Sequence, residues 1–353
     1  MHGVIGLEIS LSQIHLAQLS CNNGQLSLRA SLSLDHGSNP TEVWHDKKRF
    51  RELLLAGFKS AKFRGRQVVA ALPSSLVRVM PVSYEPAAGE TDGESIAKLL
   101  SERIGGDADN FVVDYMPVHT LQKSRTRLAL VALCREETVV AYLDALAHAG
   151  CEVVALEIGP IAIHRLINTL MADLPAQNTL VVNCGRQCSY LTLVADNRLL
   201  ADDEISFGEE AIVNALCSSL EIQPDLALKM IMETTLDPNA SDDDNDAGRW
   251  ISEIVYPEFQ RLASEIERGL VYANSESRGS RRSSVYLLGG IARWHGADSL
   301  LQSILGVPVA LVPSPSALFG QPDAEGAPEL AVATGLALHS FDNSSATSVS
   351  NAA

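Results

Sequence analysis

Three stretches of this chain carry groups that could do chemistry, each by different means. Residues 236–248, LDPNASDDDNDAG, place oxygen-bearing side chains at alternate positions: Asp237, Asn239, Ser241 and Asp243. A calcium loop needs that alternation, but it also needs glycine at its sixth position and glutamate at its twelfth. Asp242 and Gly248 stand there instead, so the stretch reads as a solvated acidic loop whose charges repel. Residues 179–194, TLVVNCGRQCSYLTLV, hold Cys184 and Cys188. No CxxC pair and no histidine at ligand spacing accompanies them, so neither a zinc site nor a redox pair is indicated. The third means is the backbone itself. Gly185 lies where the chain must reverse, and Gly289-Gly290 follow a short apolar run; with no Cβ, such residues let another group approach the main chain.

The elements that must position these groups follow from periodicity. Leu180, Val181 and Val182 form the apolar run of a buried strand, Gly185 to Cys188 the turn, and 190–194 the returning strand. Residues 4–19, VIGLEISLSQIHLAQL, repeat the design with a polar turn at 10–13. Two such hairpins half a chain apart predict a duplicated α/β core. A third strand at 30–34, a helix at 47–61 with Phe50, Leu53, Leu54 and Phe58 inward, and a strand at 67–72 continue the first copy. Residues 77–152 change in texture: strands at 77–82, 111–118 and 127–134, and helices at 94–104 and 136–149, read as an inserted α+β subdomain. A strand at 153–156 and a helix at 160–170 return to the main sheet. In the second half the pattern predicts a strand at 198–207 and helices at 209–220, 224–235 and 249–274. A strand at 285–288, a helix at 298–305, a strand at 307–312 and a helix at 328–338 follow. Basic loops fall at 122–126 and 277–284, and the polar tail 342–353 is expected to be disordered.

With 353 residues, 46% of them hydrophobic, each half can bury a core. The net charge of −16 opposes a nucleic-acid surface, which would normally be basic. The six cysteines are scattered and read as reduced, mostly buried thiols of a cytosolic protein. The N-terminus has no basic start followed by an apolar core, so no leader is expected. The most apolar stretch, 153–163, carries Glu157 and Pro160 and is too short to span a bilayer; a membrane role would be peripheral.

Taken together, GLEISLSQIHLAQL, QVVAALP, LVVNCGRQCSYLTLV, NRLLADDEISFGEEAI, EFQRLASEIERGLVYANSE, YLLGGIARWHGADSLLQSILGVPV and AVATGLAL match in order and spacing. The chain resembles the actin-like ATPase superfamily and, within it, the PilM family of type IV pilus assembly proteins, over nearly its whole length. The resemblance implies a duplicated actin-like (ribonuclease H-like) two-domain α/β fold with an inserted small α+β subdomain. The first domain would comprise 1–76 and 153–177, the insert 77–152, and the second domain 178–341 with a helical part at 209–283.

It also implies ATP with Mg²⁺ as cofactor, held by hairpin turns that offer N–H groups to phosphates, by strand-end acids through water, and by a double glycine beside the nucleoside. The corresponding positions are Glu8, Ser10, Gly185, Gly289, Gly290 and Ile291. Several have changed chemistry. Glu8 stands for the expected aspartate, Ser10 for a glycine, His15 for a lysine and Asn183 for the second aspartate, while Arg186, Gln187 and Cys188 replace hydroxyl residues. Each also has a plainer reading: Glu8 and Glu157 as strand acids without a role, His15 as a surface residue, the glycines as the needs of any strand–turn–helix connection.

The expectation is therefore a cytoplasmic scaffold of a pilus or related secretion machine with a degenerate nucleotide site. By resemblance it would bind the cytoplasmic N-terminal peptide of a PilN-like membrane protein, in a groove walled by 77–82 and 139–146, and could self-associate. A working ATPase that cycles or polymerises is the first alternative. A sugar-kinase-like enzyme is weaker, because no acid stands out as a catalytic base.

Overall fold

The structure is a computed structural model. It describes residues 2–10, 12–37, 40–104, 110–118, 125–170, 178–195, 198–237, 249–276, 282–319 and 328–341. The acidic loop from 238 on, most of both basic loops and the tail lie outside the described residues.

In chain order the elements begin with β1 (His2–Ile9), β2 (Gln13–Asn22), β3 (Gln25–Asp35), α1 (Pro40–His45), α2 (Lys47–Ser60), β4 (Gln67–Leu72) and β5 (Arg78–Tyr84). Next come α3 (Asp92–Ile104), β6 (Phe111–Val118), β7 (Arg127–Arg135), α4 (Glu136–His148), β8 (Glu152–Ile158) and α5 (Gly159–Leu170). Then follow β9 (Asn178–Cys184), β10 (Ser189–Ala195), β11 (Arg198–Ile205), α6 (Glu209–Leu220), α7 (Pro224–Glu233) and α8 (Tyr256–Glu276). The last are β12 (Ser283–Gly289), α9 (Ala297–Leu305), β13 (Val309–Leu311), α10 (Pro315–Leu318) and α11 (Ala331–Ala337).

Two compact units result. The first holds residues 1–173, 315–324 and 330–353; the second holds 174–314 and 325–329. Each is built on a five-stranded sheet, ordered β3-β2-β1-β4-β8 in one and β11-β10-β9-β12-β13 in the other. The pairing senses also repeat. The first three strands run antiparallel, and the next two join in parallel, in both sheets. The hairpins predicted at 4–19 and 179–194 thus occupy the same place in two separate sheets, which is the duplication the sequence implied.

Of the elements that differ from the sequence reading, three do so for a clear local reason. β3 starts at Gln25, not at 30. Asn23 and Gly24 both have positive φ, 52° and 81°, the pair a two-residue type I′ hairpin requires, so β2 turns straight into β3. α3 starts at Asp92 because Thr91 and Glu94 form a reciprocal cap: the Thr91 N–H donates to Glu94 Oε2 at 2.8 Å and the Glu94 N–H to Thr91 Oγ1 at 3.3 Å. The long helix expected at 249–274 contains a π turn at Ile251–Val255, with the Tyr256 N–H reaching back to the Ile251 carbonyl. Pro257 follows at once. It cannot donate to the turn before it, and its ring crowds the carbonyl there, so the helix widens by one residue.

In the first unit, Ile5, Leu7, Ile9, Ile14, Leu16, Phe50, Leu54, Val68 and Ala70 share one core with Trp44, Tyr142, Ala145 and Leu146. α4 therefore belongs to this core. The antiparallel sheet β5-β7-β6 makes a separate cluster with α3: Val82, Tyr84, Ala129, Val131 and Leu133 against Ile96 and Leu100. As a packing unit the insert runs from β5 to the end of β7. On the other side of the first sheet Gly6 faces α11. A Cβ at Gly6 would lie 1.9 Å from the Ala333 carbonyl oxygen, and one at Gly335 would lie 2.1 Å from that of Ala162.

Candidate functional site

In the first unit Ser10 and Gln13, which flank the turn between β1 and β2, bond to each other. The Ser10 N–H donates to the Gln13 carbonyl at 2.9 Å, the Ser10 hydroxyl to the same oxygen at 3.0 Å, and the Gln13 N–H to Ser10 Oγ at 3.2 Å. His36 Nε2 lies 3.0 Å from the Ser10 carbonyl, and the His36 N–H donates to the Ser12 carbonyl. Two amides that could have faced a phosphate are thereby committed within the turn. Ser10 is not among the residues with positive φ, so the turn has adapted to a side chain where glycine's freedom would otherwise serve.

Glu8 and His15 are direct partners across β1 and β2, and His15 and Ser33 across β2 and β3; opposed residues share a face. His15 is 4% exposed, with Nδ1 2.9 Å from Ser33 Oγ, so the surface reading of this histidine is corrected: strand pairing on both sides buries it. Glu8 is half-buried, and its Oε2 is shut off from solvent without a hydrogen-bond partner. Burial pushes its carboxyl up to about 8, because desolvation disfavours the charged form. With no cation beside it, burial favours the protonated form of Glu8. A raised folded pKa means that the native state holds a proton which the unfolded chain has already lost. Stability must then fall as pH rises from about 4.5 through about 8. Glu8→Gln should flatten that decline, gaining stability relative to wild type above pH 8; urea denaturation at pH 6 and pH 9 measures it.

In the second unit the turn after β9 is stitched to its neighbours. The Glu209 N–H donates to the Gly185 carbonyl at 3.0 Å, the Glu210 N–H to the Arg186 carbonyl at 2.8 Å, and the Gly290 N–H to the Cys184 carbonyl at 2.8 Å. Gly289 has φ +84°, and a Cβ there would lie 2.3 Å from the Cys184 oxygen and 3.0 Å from Asn183 Oδ1. A Cβ at Gly290 would lie 2.9 Å from Glu209 Oε2. Gly289 is thus required by the chain's own packing, whereas at Gly290 the neighbour is the movable end of the Glu209 side chain, and Ile291 is fully buried. Glu209 Oε1 is buried without a hydrogen bond; Arg293 Nη2 is 3.5 Å away, an ion pair too long to count as one. On β11, Asp202 is buried and accepts the Thr192 hydroxyl at 2.6 Å, and burial raises its carboxyl to about 7.

Glu157 is occupied structurally. Arg165 grips it through both terminal nitrogens, at 2.9 and 3.0 Å, His339 Nδ1 lies 2.7 Å from Oε1, and Arg165 also donates to the Gly335 carbonyl at 2.9 Å. Burial alone would raise this carboxyl, but the His339 and Arg165 contacts outweigh it and hold it below the usual range. Nothing in the local sequence marks Arg165 or His339 as site residues. Glu209 carried a faint signal as the first acid after Gly208, while Arg165 and His339 meet Glu157 only through tertiary packing.

These residues depart from the pair of strand-end acids expected to hold Mg²⁺ with a triphosphate. Burial favours the neutral form of Glu8 in the cation-free site, and Asn183 is uncharged. Among the described residues, the Glu8 and Glu209 carboxylates each keep one buried oxygen without a hydrogen bond. The cysteines are all free, and burial raises the thiols of Cys134, Cys151 and Cys184, so they stay protonated and unreactive. No helix among the described residues is long and apolar enough to cross a membrane.

Comparison with known proteins agrees with this architecture. A solved structure titled "PilM-PilN type IV pilus biogenesis complex" matches with a TM-score of 0.73 and 25% identity, covering 96% of this chain and 99% of the other. The ethanolamine utilization protein EutJ from Carboxydothermus hydrogenoformans matches with a TM-score of 0.55 and 15% identity, over 96% of this chain and 89% of its own; that likeness shows the actin-like fold alone. The family model "Type IV pilus assembly protein PilM" matches residues 6–341. With that match over nearly its full length, the chain belongs to the PilM family of type IV pilus assembly proteins.

Proposed function

We propose that this protein is a scaffold of a type IV pilus or related secretion machine. In this reading it works in the cytoplasm, meets the inner membrane through its partners, and binds the N-terminal cytoplasmic peptide of a PilN-like membrane protein. The similar structure is of a PilM-PilN complex, which supports a PilN-like partner. The observation that carries the reading lies in the insert. Strand register puts Val79, Pro81, Leu128, Leu130, Ala132, Val112 and Met116 on the sheet face opposite α3. Only Leu130 of these is fully buried. An apolar sheet face left half-covered is a docking surface in search of a cover.

The groove walls now narrow. Tyr142, Ala145 and Leu146 are core residues and cannot line a surface, whereas Val79 and Val140, the latter 51% exposed, can. Titration with the partner's N-terminal peptide tests the site. Val79→Glu with Ala132→Glu should weaken binding at least about tenfold, roughly 1.4 kcal/mol, with the circular dichroism spectrum unchanged. Undiminished binding to that folded variant would refute it.

Nucleotide chemistry is the second reading, favoured by the orphaned Glu209 oxygen. Against it stand desolvated Glu8, uncharged Asn183 and the committed amides. Mg²⁺-dependent ATP hydrolysis should run well below about 1 per second, the low end of ordinary enzyme turnover, and Asn183→Asp alone should not restore it. Faster turnover by the purified wild type would overturn the scaffold reading in favour of an ATPase.

A further inference from the structure

The second unit contains a three-way junction that a nucleotide would otherwise be expected to hold. Its members are the turn Gly185–Cys188, the first turn of α6 and the turn after β12. The first amides of a helix have no partner within it and form a natural anion site. In α6 they are spent: Glu209 and Glu210 donate to the Gly185 and Arg186 carbonyls, and Ala211 donates to Gly208.

The negative charge that such a helix end favours is also supplied internally. Glu209 and Glu210 occupy the first turn, and Arg186 Nε binds Glu210 Oε1 at 2.6 Å. The Glu209 carboxylate lies over Gly290, with Arg293 beside it, and Ser189 donates to the Phe207 carbonyl at 2.6 Å just before the joint. The close approach that joins α6 to the turn is at Gly208, where a Cβ would lie 2.5 Å from the Arg186 carbonyl oxygen. That neighbour is backbone and cannot swing aside.

We propose that these residues form an internal clasp: Arg186, Gly208 and Glu209 fasten the three segments together, so that this part of the second unit keeps one conformation with no ligand bound. The clasp is independent of the partner-peptide reading. It stands on contacts within one unit, and it assigns a role to Arg186 and Glu209.

Hydrogen exchange of the full chain, with and without millimolar Mg²⁺-ATP, tests it. Without nucleotide, the segments around 184–188, 208–212 and 289–293 should already be protected, and Mg²⁺-ATP should change their exchange less than about twofold. Gly208→Ala should speed exchange in all three together, leaving β1 and β2 unchanged. Should that variant misfold, Glu209→Gln keeps the volume, removes the charge facing Arg293, and should loosen 289–293 along with 208–212. The clasp is refuted if Mg²⁺-ATP markedly protects the wild-type segments or raises its Tm by several degrees. It is equally refuted if a folded variant loosens only the segment that carries the substitution.

Discussion

Replacing Arg165 with alanine is expected to destabilise the first unit by about 3–5 kcal/mol, the range for removing one partner of a buried ion pair. At a few degrees per kcal/mol for a unit of this size, Tm should drop by roughly 6–20 °C. The side chains of Arg165 and Glu157 are only 10% and 12% exposed, so solvent screening does little to soften the loss. The variant leaves a buried carboxylate facing only His339, and the Gly335 carbonyl loses its donor.

The pH dependence has a definite sign. Glu157 is depressed in the folded protein, so its contribution is fully present above its unfolded value near 4.5 and is lost as pH falls through the lower folded value. In Arg165→Ala the guanidinium is gone and burial works against the charge. The gap between wild type and variant should therefore be widest at neutral pH and close in acid. Adding Glu157→Gln to Arg165→Ala should recover part of the loss, because no charge is then stranded. A loss under about 1 kcal/mol, the level of a surface pair, would show that the network does not hold the unit together.

The second large effect concerns α11. Gly6→Ala places a methyl 1.9 Å from the Ala333 carbonyl oxygen and 2.7 Å from the Ala337 nitrogen; Gly335→Ala places one 2.1 Å from the Ala162 carbonyl. All three obstacles are backbone, so a rotamer change cannot relieve them. Each substitution should cost about 3 kcal/mol or more, the upper part of the overpacking range. The two should not add, because both push the same helix away from its seat, and coupled neighbours are not independent. Chemical denaturation of both single variants and the double measures this. An additive double variant, or a single loss under about 1 kcal/mol, would mean that α11 is not tightly seated on β1 and α5.

The sequence by itself determined the fold and the family. Alternating apolar runs at 4–19 and 179–194, each broken by a turn, required two hairpins, and their spacing required a duplication. That information is local, since a strand face and a turn residue are legible within a few positions. The changed chemistry at Asn183 was legible for the same reason, because loss of a charge is a property of one residue.

Other features were decided only by the tertiary structure. The carboxyl of Glu8 is pushed up by what surrounds it in space, not by its neighbours in the chain. His15 was buried by strands on both sides, one of which started five residues earlier than expected through the Asn23-Gly24 turn. α4 was read with the insert from its position in sequence, yet Tyr142 and Leu146 pack into the first core. Glu157 found Arg165 from a following helix and His339 from near the other end of the chain. The need for glycine at 6, 208 and 335 arises from backbones that approach across long sequence separations. Burial, pairing and close approach are properties of residues brought together in space, and one-dimensional spacing carries no record of them.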